Sequence, residues 1–154
     1  MARISLDTNI LVYALDRGAG EKNRIARRVV RAAAEAEGVL TQQVIGEFLN
    51  VSRKVPGLNH QRLSRIAAGL CATFPILPTS QAQVFEAFDR AARYRIQFWD
   101  SVIATVCLGG AVSHLVTEDL QDGLVLDGLI VINPFNPANG PALDALLADA
   151  PPAP

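Results

Sequence analysis

The chain reads as one α/β domain: a mainly parallel sheet of four to five strands covered on both faces by helices. Three features predict this. Short apolar runs alternate with longer stretches of helical periodicity. Helices rather than tight turns separate the runs, so successive strands need crossover connections, and crossovers give parallel pairing. Half of the 154 residues are hydrophobic and only 19% are charged, enough to bury a substantial core in one domain of ordinary size.

Taken in order, residues 3–7 read as a strand and residues 8–16 as a short helix carrying Ile10, Leu11, Tyr13, Ala14 and Leu15. Residues 21–36 form an Ala- and Arg-rich helix with Ile25, Val29 and Ala33 at helical spacing. Val39-Leu40-Thr41 is a second strand. Helices follow at about 42–54 and 60–72, broken by Pro56-Gly57. Residues 74–78 are a short strand whose flanking prolines favour a sheet edge or a strand end. Residues 80–94 and 99–108 are helices, the second stopped by Gly109-Gly110. Residues 112–116 and 129–132 complete the sheet. Composition then changes at Asn133, with Pro134, Pro137, Pro141 and the closing residues 150–154. The expected division is a domain at residues 1–135 and a Pro/Ala-rich tail at 136–154. One helical turn is expected at residues 143–147, and the last ten or so residues should be loose.

Composition excludes several classes. Cys71 and Cys107 fall in apolar helical stretches without metal-ligand spacing and read as reduced core residues, which fits a cytoplasmic protein. No apolar run approaches the roughly 18 residues of a membrane span. The N-terminus enters a strand at once, leaving no room for a signal peptide. A net charge of −1 and a pI near 6.1 do not announce a nucleic-acid binder. The distribution is more informative, because arginine supplies all but two of the 14 basic residues. Arg24, Arg27, Arg28 and Arg31 form one cluster, and Arg90, Arg93 and Arg95 another. Either is a solvated helix face or a set of phosphate contacts.

The chemistry points to four acids far apart in the chain. Asp7 ends the first strand, and Asp119 follows the run His114 to Thr117; both lie at carboxyl ends of strands, where parallel sheets bind ligands. Glu47 shares a helical face with Val44, Phe48 and Val51, and Asp100 sits in the first turn of an apolar helix. Each has a simpler explanation by itself. Asp7 and Asp100 could be helix caps, Asp119 a turn residue, and Glu47 half of a buried ion pair. No local folding rule asks for all four, whereas a site for one or two divalent cations does. Carboxylates without histidine or cysteine select Mg²⁺ or Mn²⁺ over zinc. His60 lies in a polar loop and His114 in a strand, while Ser5 and Ser101 have no neighbouring histidine. No Gly-rich phosphate loop is present. A haloacid-dehalogenase-type phosphatase needs an acid where Asn9 stands.

These residues resemble a known family. Leu6-Asp7-Thr8-Asn9-Ile10-Leu11-Val12-Tyr13 is similar to the opening motif of PIN-domain ribonucleases. Glu47, Trp99-Asp100-Ser101 and Thr117-Glu118-Asp119-Leu120 complete that family's acidic set in order. Phe98-Trp99-Asp100, residues 118–123 and Asn133-Pro134-Phe135 resemble the VapC-like toxins of bacterial toxin–antitoxin pairs. The similarity covers about residues 3–135. It implies a three-layer α/β/α PIN-like fold and a Mg²⁺- or Mn²⁺-dependent endoribonuclease, with Asp7, Glu47, Asp100 and Asp119 on the metal. Thr8, Asn9 and Thr117 would orient water or the acids. Glu118 and Asp122 are rival or additional ligands, and Arg24, Arg28, Arg93 and Arg95 are candidate RNA contacts. The resemblance further implies a homodimer, an RNA substrate and a small cognate antitoxin. The alternative is an inactive PIN-like module that only binds RNA or protein.

Overall fold

The computed structural model describes residues 2–148. In chain order the elements are β1 (Ile4–Leu6), α1 (Thr8–Leu15), α2 (Glu21–Glu35), β2 (Leu40–Thr41), α3 (Gln42–Ser52), α4 (His60–Thr73) and β3 (Ile76–Leu77). They continue as α5 (Gln81–Tyr94), α6 (Phe98–Gly109), β4 (His114–Val116), β5 (Val125–Leu126), β6 (Leu129–Ile132) and α7 (Gly140–Ala148). The α/β architecture and mostly parallel central sheet are those the sequence predicts.

The sheet has the order β1-β4-β6-β5, with β1, β4 and β6 mutually parallel. β2 and β3 form a second parallel pair, joined to β1 by a bridge between Ser5 and Val39. Every residue of β1 and β2 is buried, so both faces are covered, as a central parallel strand requires. α6 is buried on all sides from Ser101 to Cys107. It lies between the sheet and α5, and the Ser101 hydroxyl donates to the Ala87 carbonyl of α5 at 2.8 Å. An apolar helix without a polar face belongs in such an inner layer.

Three features differ from the sequence reading. β5 is an antiparallel edge strand where no strand is expected. It turns into β6 through Asp127-Gly128, with φ of 49° and 101°. Two left-handed residues make the tight hairpin turn that Asp-Gly favours. The single turn expected at residues 143–147 is instead the nine-residue α7, which buries Leu143 and packs on α2. Its partner surface is far away in sequence, so local composition does not announce it. Cys71 is exposed rather than in the core, because the inward stripe of α4 runs through Leu63, Ala67 and Leu70 and leaves it on the flank. Cys107 is buried, and burial pushes its thiol up to about 12. Among the described residues no helix is long and apolar enough to cross a membrane. The end of the chain expected to be loose lies largely outside the described residues.

Candidate functional site

Asp7 does two jobs at once. At the end of β1 its amide donates to the Val116 carbonyl of β4 at 3.0 Å. Its Oδ1 caps α1 by accepting the Thr8 amide at 2.6 Å, which realises the simpler explanation of this residue. That leaves Oδ2, which accepts the buried Thr117 hydroxyl at 2.7 Å. Thr8 in turn donates its hydroxyl to Glu47 Oε2 at 2.8 Å, so one threonine ties the acid of β1 to the acid of α3.

Glu47 projects from the side of α3 that buries Val44 and Phe48, although Val51 on the next turn is exposed. Its Oε1 accepts from Gln43 Nε2 at 2.7 Å. No ion pair to Glu47 is present among the described residues, so it is not half of a buried salt bridge. The same Gln43 amide donates to the Trp99 carbonyl at 3.1 Å, which fastens α3 to the start of α6 and thus to Asp100. Asn9, in the first turn of α1, donates to Asp119 at 2.9 Å and to the Thr117 hydroxyl at 3.1 Å. The Asp119 amide donates to that hydroxyl as well, at 3.1 Å.

Asp7 and Asp100 both feel the charges of Asp119 and Glu47. Burial holds the Asp7 carboxyl up at about 6, and the charges of Asp119 and Glu47 add to the effect. Asp100 is raised for the same reasons: first its partial burial, then Asp119 and Glu47. In this arrangement no three acidic, histidine or cysteine side chains among the described residues converge closely enough to share an ion. Bonds from Thr8 and Gln43 fix Glu47, and bonds from Thr117 and Asn9 fix Asp7 and Asp119.

Two further atoms mark the cluster. Asn9 Oδ1 and Gln43 Oε1 are buried without a hydrogen-bond partner. Each amide turns its NH₂ group toward carboxylates, which leaves its carbonyl oxygen without a donor. A buried acceptor without a donor is costly. The donor set, all oxygen, fits Mg²⁺ or Mn²⁺.

The rival acids point elsewhere. Glu118 is held by Lys22 at 2.5 Å and by the Tyr13 hydroxyl. Asp122 accepts from the Asn133 amide at 2.9 Å and from the side chains of Asn136 and Asn139, at 2.7 and 2.8 Å, so it organises the turn before α7. Of this stretch only Asp119 faces Asp7 and Asp100. Most of the candidate RNA contacts are paired. Arg24 holds Glu21, Arg28 holds Asp144 at 3.1 Å, and Arg93 joins Arg90 on Asp127. Arg95 ends α5 in the left-handed region, exposed. His60 is exposed, and His114 is partly buried against the Ser113 hydroxyl. Sequence reasoning passed over Gln43. Its position four residues before Glu47, on the same helical face, was the available signal.

A protein-family model for the PIN domain matches residues 4–121. No curated protein matches significantly. Among solved structures, a toxin–antitoxin complex from Klebsiella pneumoniae is 21% identical, with a TM-score of 0.65 over 86% of this chain and 98% of that one. FitAcB from Neisseria gonorrhoeae is 19% identical, with a TM-score of 0.62 over 86% and 99%. VapC20 of Mycobacterium tuberculosis, a sarcin-ricin-loop-cleaving toxin, is 15% identical, with a TM-score of 0.60 over 73% and 86%. At these identities the likeness is one of fold.

Proposed function

The chain belongs to the PIN-domain family, and on that premise we propose that it is a metal-dependent endoribonuclease, the toxin of a toxin–antitoxin pair. The observation that carries this reading is that Asp7 and Asp100 each feel the charges of Asp119 and Glu47 across four separate segments, while the oxygens of Asn9 and Gln43 beside them lack a partner. Among the described residues no three of these acids yet come close enough to share an ion. A structural core does not gather mutually repelling carboxylates, because each raises the cost of the next.

The four acids would hold Mg²⁺ or Mn²⁺. When bound, such an ion supplies an acidified water and offsets the charge that builds on phosphate oxygens. The chain's own residues do the rest. Thr8 and Thr117 fix the two oxygens of Asp7 in one orientation, and Asn9 holds Asp119 opposite it. Gln43 locks α3 to α6, which sets the spacing between Glu47 and Asp100. These bonds restrict the acids to a few orientations before a phosphodiester arrives.

RNA is the substrate in this reading, and a small antitoxin is the inhibitor, as the similar fold of the Klebsiella pneumoniae toxin–antitoxin complex supports. A cationic side chain of that antitoxin would pair with these acids. The protein acts in the cytoplasm. It is also a homodimer, for which α5 and α6 offer a face with Phe85, Phe88 and Trp99 each more than 60% exposed. Incubating the purified chain with total cellular RNA, with and without Mg²⁺ or Mn²⁺, and mapping new 5′ ends tests the reading. Intact RNA, together with no carboxylate-dependent cation binding by calorimetry, would instead identify an inert binding module.

A further inference from the structure

From Glu118 to Gln121 the chain is irregular, so the position of Asp119 is set by side-chain bonds rather than by a strand ladder. Two of those bonds come from residues one helical turn apart on α1. Asn9 donates to Asp119 at 2.9 Å, and Tyr13 donates its hydroxyl to Oε1 of Glu118, the residue before it. The other oxygen of Glu118 accepts from Lys22, in the first turn of α2, at 2.5 Å. Glu118 also stands between two residues of the acid cluster. The Thr117 hydroxyl on one side donates to Asp7 and accepts the amide of Asp119 on the other. A hold on Glu118 therefore fixes the peptide units that place both.

Lys22 is itself held in place. Its amine lies 4.8 Å from the centre of the Tyr13 ring and 5.1 Å from that of Phe135, and donates to the Tyr13 hydroxyl at 3.4 Å. The two rings meet edge to face at 5.3 Å. Asn23 donates to the carbonyls of Tyr13 and Ala14 at 2.7 and 3.1 Å, which fastens the start of α2 to the end of α1. Amine, phenol and carboxylate thus close a triangle between α1, α2 and the segment after β4. The Glu118 side chain is only 19% exposed, unlike either member of the Glu21–Arg24 pair at 66% and 70%. An ion pair in open solvent restrains little, whereas this one is boxed in by two aromatic rings.

Resting on the metal-dependent reading, we propose that Lys22 and Tyr13 are positioning residues for the cation site: they clamp Glu118, and through it the segment that presents Asp119. Glu118 is the handle of that clamp and not a ligand.

Calorimetric titration with Mn²⁺ tests this on Lys22→Met, Tyr13→Phe, Glu118→Ala and the double variant Lys22→Met/Glu118→Ala. Charge alone gives the changes different signs. Loss of a nearby cation should tighten Mn²⁺ binding, loss of an anion should weaken it, and Tyr13→Phe should do neither. The clamp gives all three the same sign. Each single variant should bind Mn²⁺ roughly three- to tenfold more weakly, below the roughly 10–100-fold typical of groups bonded directly to a ligand. The double variant should bind no more weakly than the weaker single one, because the second change removes a bond already broken. Tighter binding by Lys22→Met, affinities equal to the parent's, or fully additive losses in the double variant would overturn the clamp and leave the cation site standing. A lower Tm in chelator with unchanged Mn²⁺ affinity would also overturn it, since the triangle would then serve stability alone. A parent that binds no Mn²⁺, or binds it equally well after Asp100→Asn, refutes the metal-dependent reading itself, and the clamp with it.

Discussion

Replacing Asp7 by asparagine removes one charge from the four acids, and in the absence of metal this should stabilise the protein. The size of the effect follows from the environment of the carboxyl. Burial and the neighbouring acids raise it from 3.8 to about 6. A raised carboxyl favours the fold in its protonated form, so its contribution is full below about pH 3.8 and is lost as the pH rises through 6. Two units correspond to about 3 kcal/mol lost by the wild type between those limits. Asparagine escapes this loss but fits the Thr117 hydroxyl less well, so the net gain at pH 8 should be about 1–3 kcal/mol. For a domain of this size that raises Tm by roughly 3–8 °C. Thermal unfolding by circular dichroism in chelator, at pH 4 and at pH 8, measures it. The variant should exceed the wild type at pH 8 and match or fall below it at pH 4. Added Mn²⁺ should then stabilise the wild type alone, by about 2.7 kcal/mol at a hundredfold excess over Kd. A wild-type Tm that does not fall between pH 4 and pH 8 in chelator, or a variant less stable at pH 8, would refute the argument that these carboxylates strain the apo fold.

Glu47→Gln and Asp100→Asn should each lower RNA cleavage by well over tenfold while leaving the fold intact, measured as initial rates in Mn²⁺ beside a circular dichroism spectrum. Thr117→Val keeps the shape of a buried side chain but deletes a hydroxyl shared by Asp7, Asn9 and the Asp119 amide. It should cost about 1–3 kcal/mol in urea unfolding and also reduce cleavage. Phe85→Asp together with Phe88→Asp should convert a dimer into a monomer by light scattering, because charge on an apolar anchor opposes association. A dimer that survives both changes places the interface elsewhere.

Much of the fold was legible because periodicity is local. The alternation of short apolar runs with helical stretches gave the parallel α/β sheet, and each main helix lies within a residue or two of its expected limits. The Asp127-Gly128 hairpin is absent from the sequence reading, because the strand before it has only two residues and no clear alternation, although the dipeptide itself favours the turn. The four acids stand out in the sequence by their positions at strand ends and on inward helix faces, but no three of them come close enough to share an ion among the described residues.

What the sequence by itself determined, then, was the class of fold, the family and the acids available. Only the tertiary structure decided which of three neighbouring acids looks inward. Glu118 turns to Lys22 and Tyr13, Asp122 turns to three asparagines near α7, and Asp119 is left facing Asp7 and Asp100. It likewise decided that Arg24 and Arg28 are neutralised and that Cys71 faces solvent. The reason is physical. A side chain's backbone position follows from local periodicity, but its direction and charge state depend on partners that other segments bring, and those segments meet only once the chain has folded.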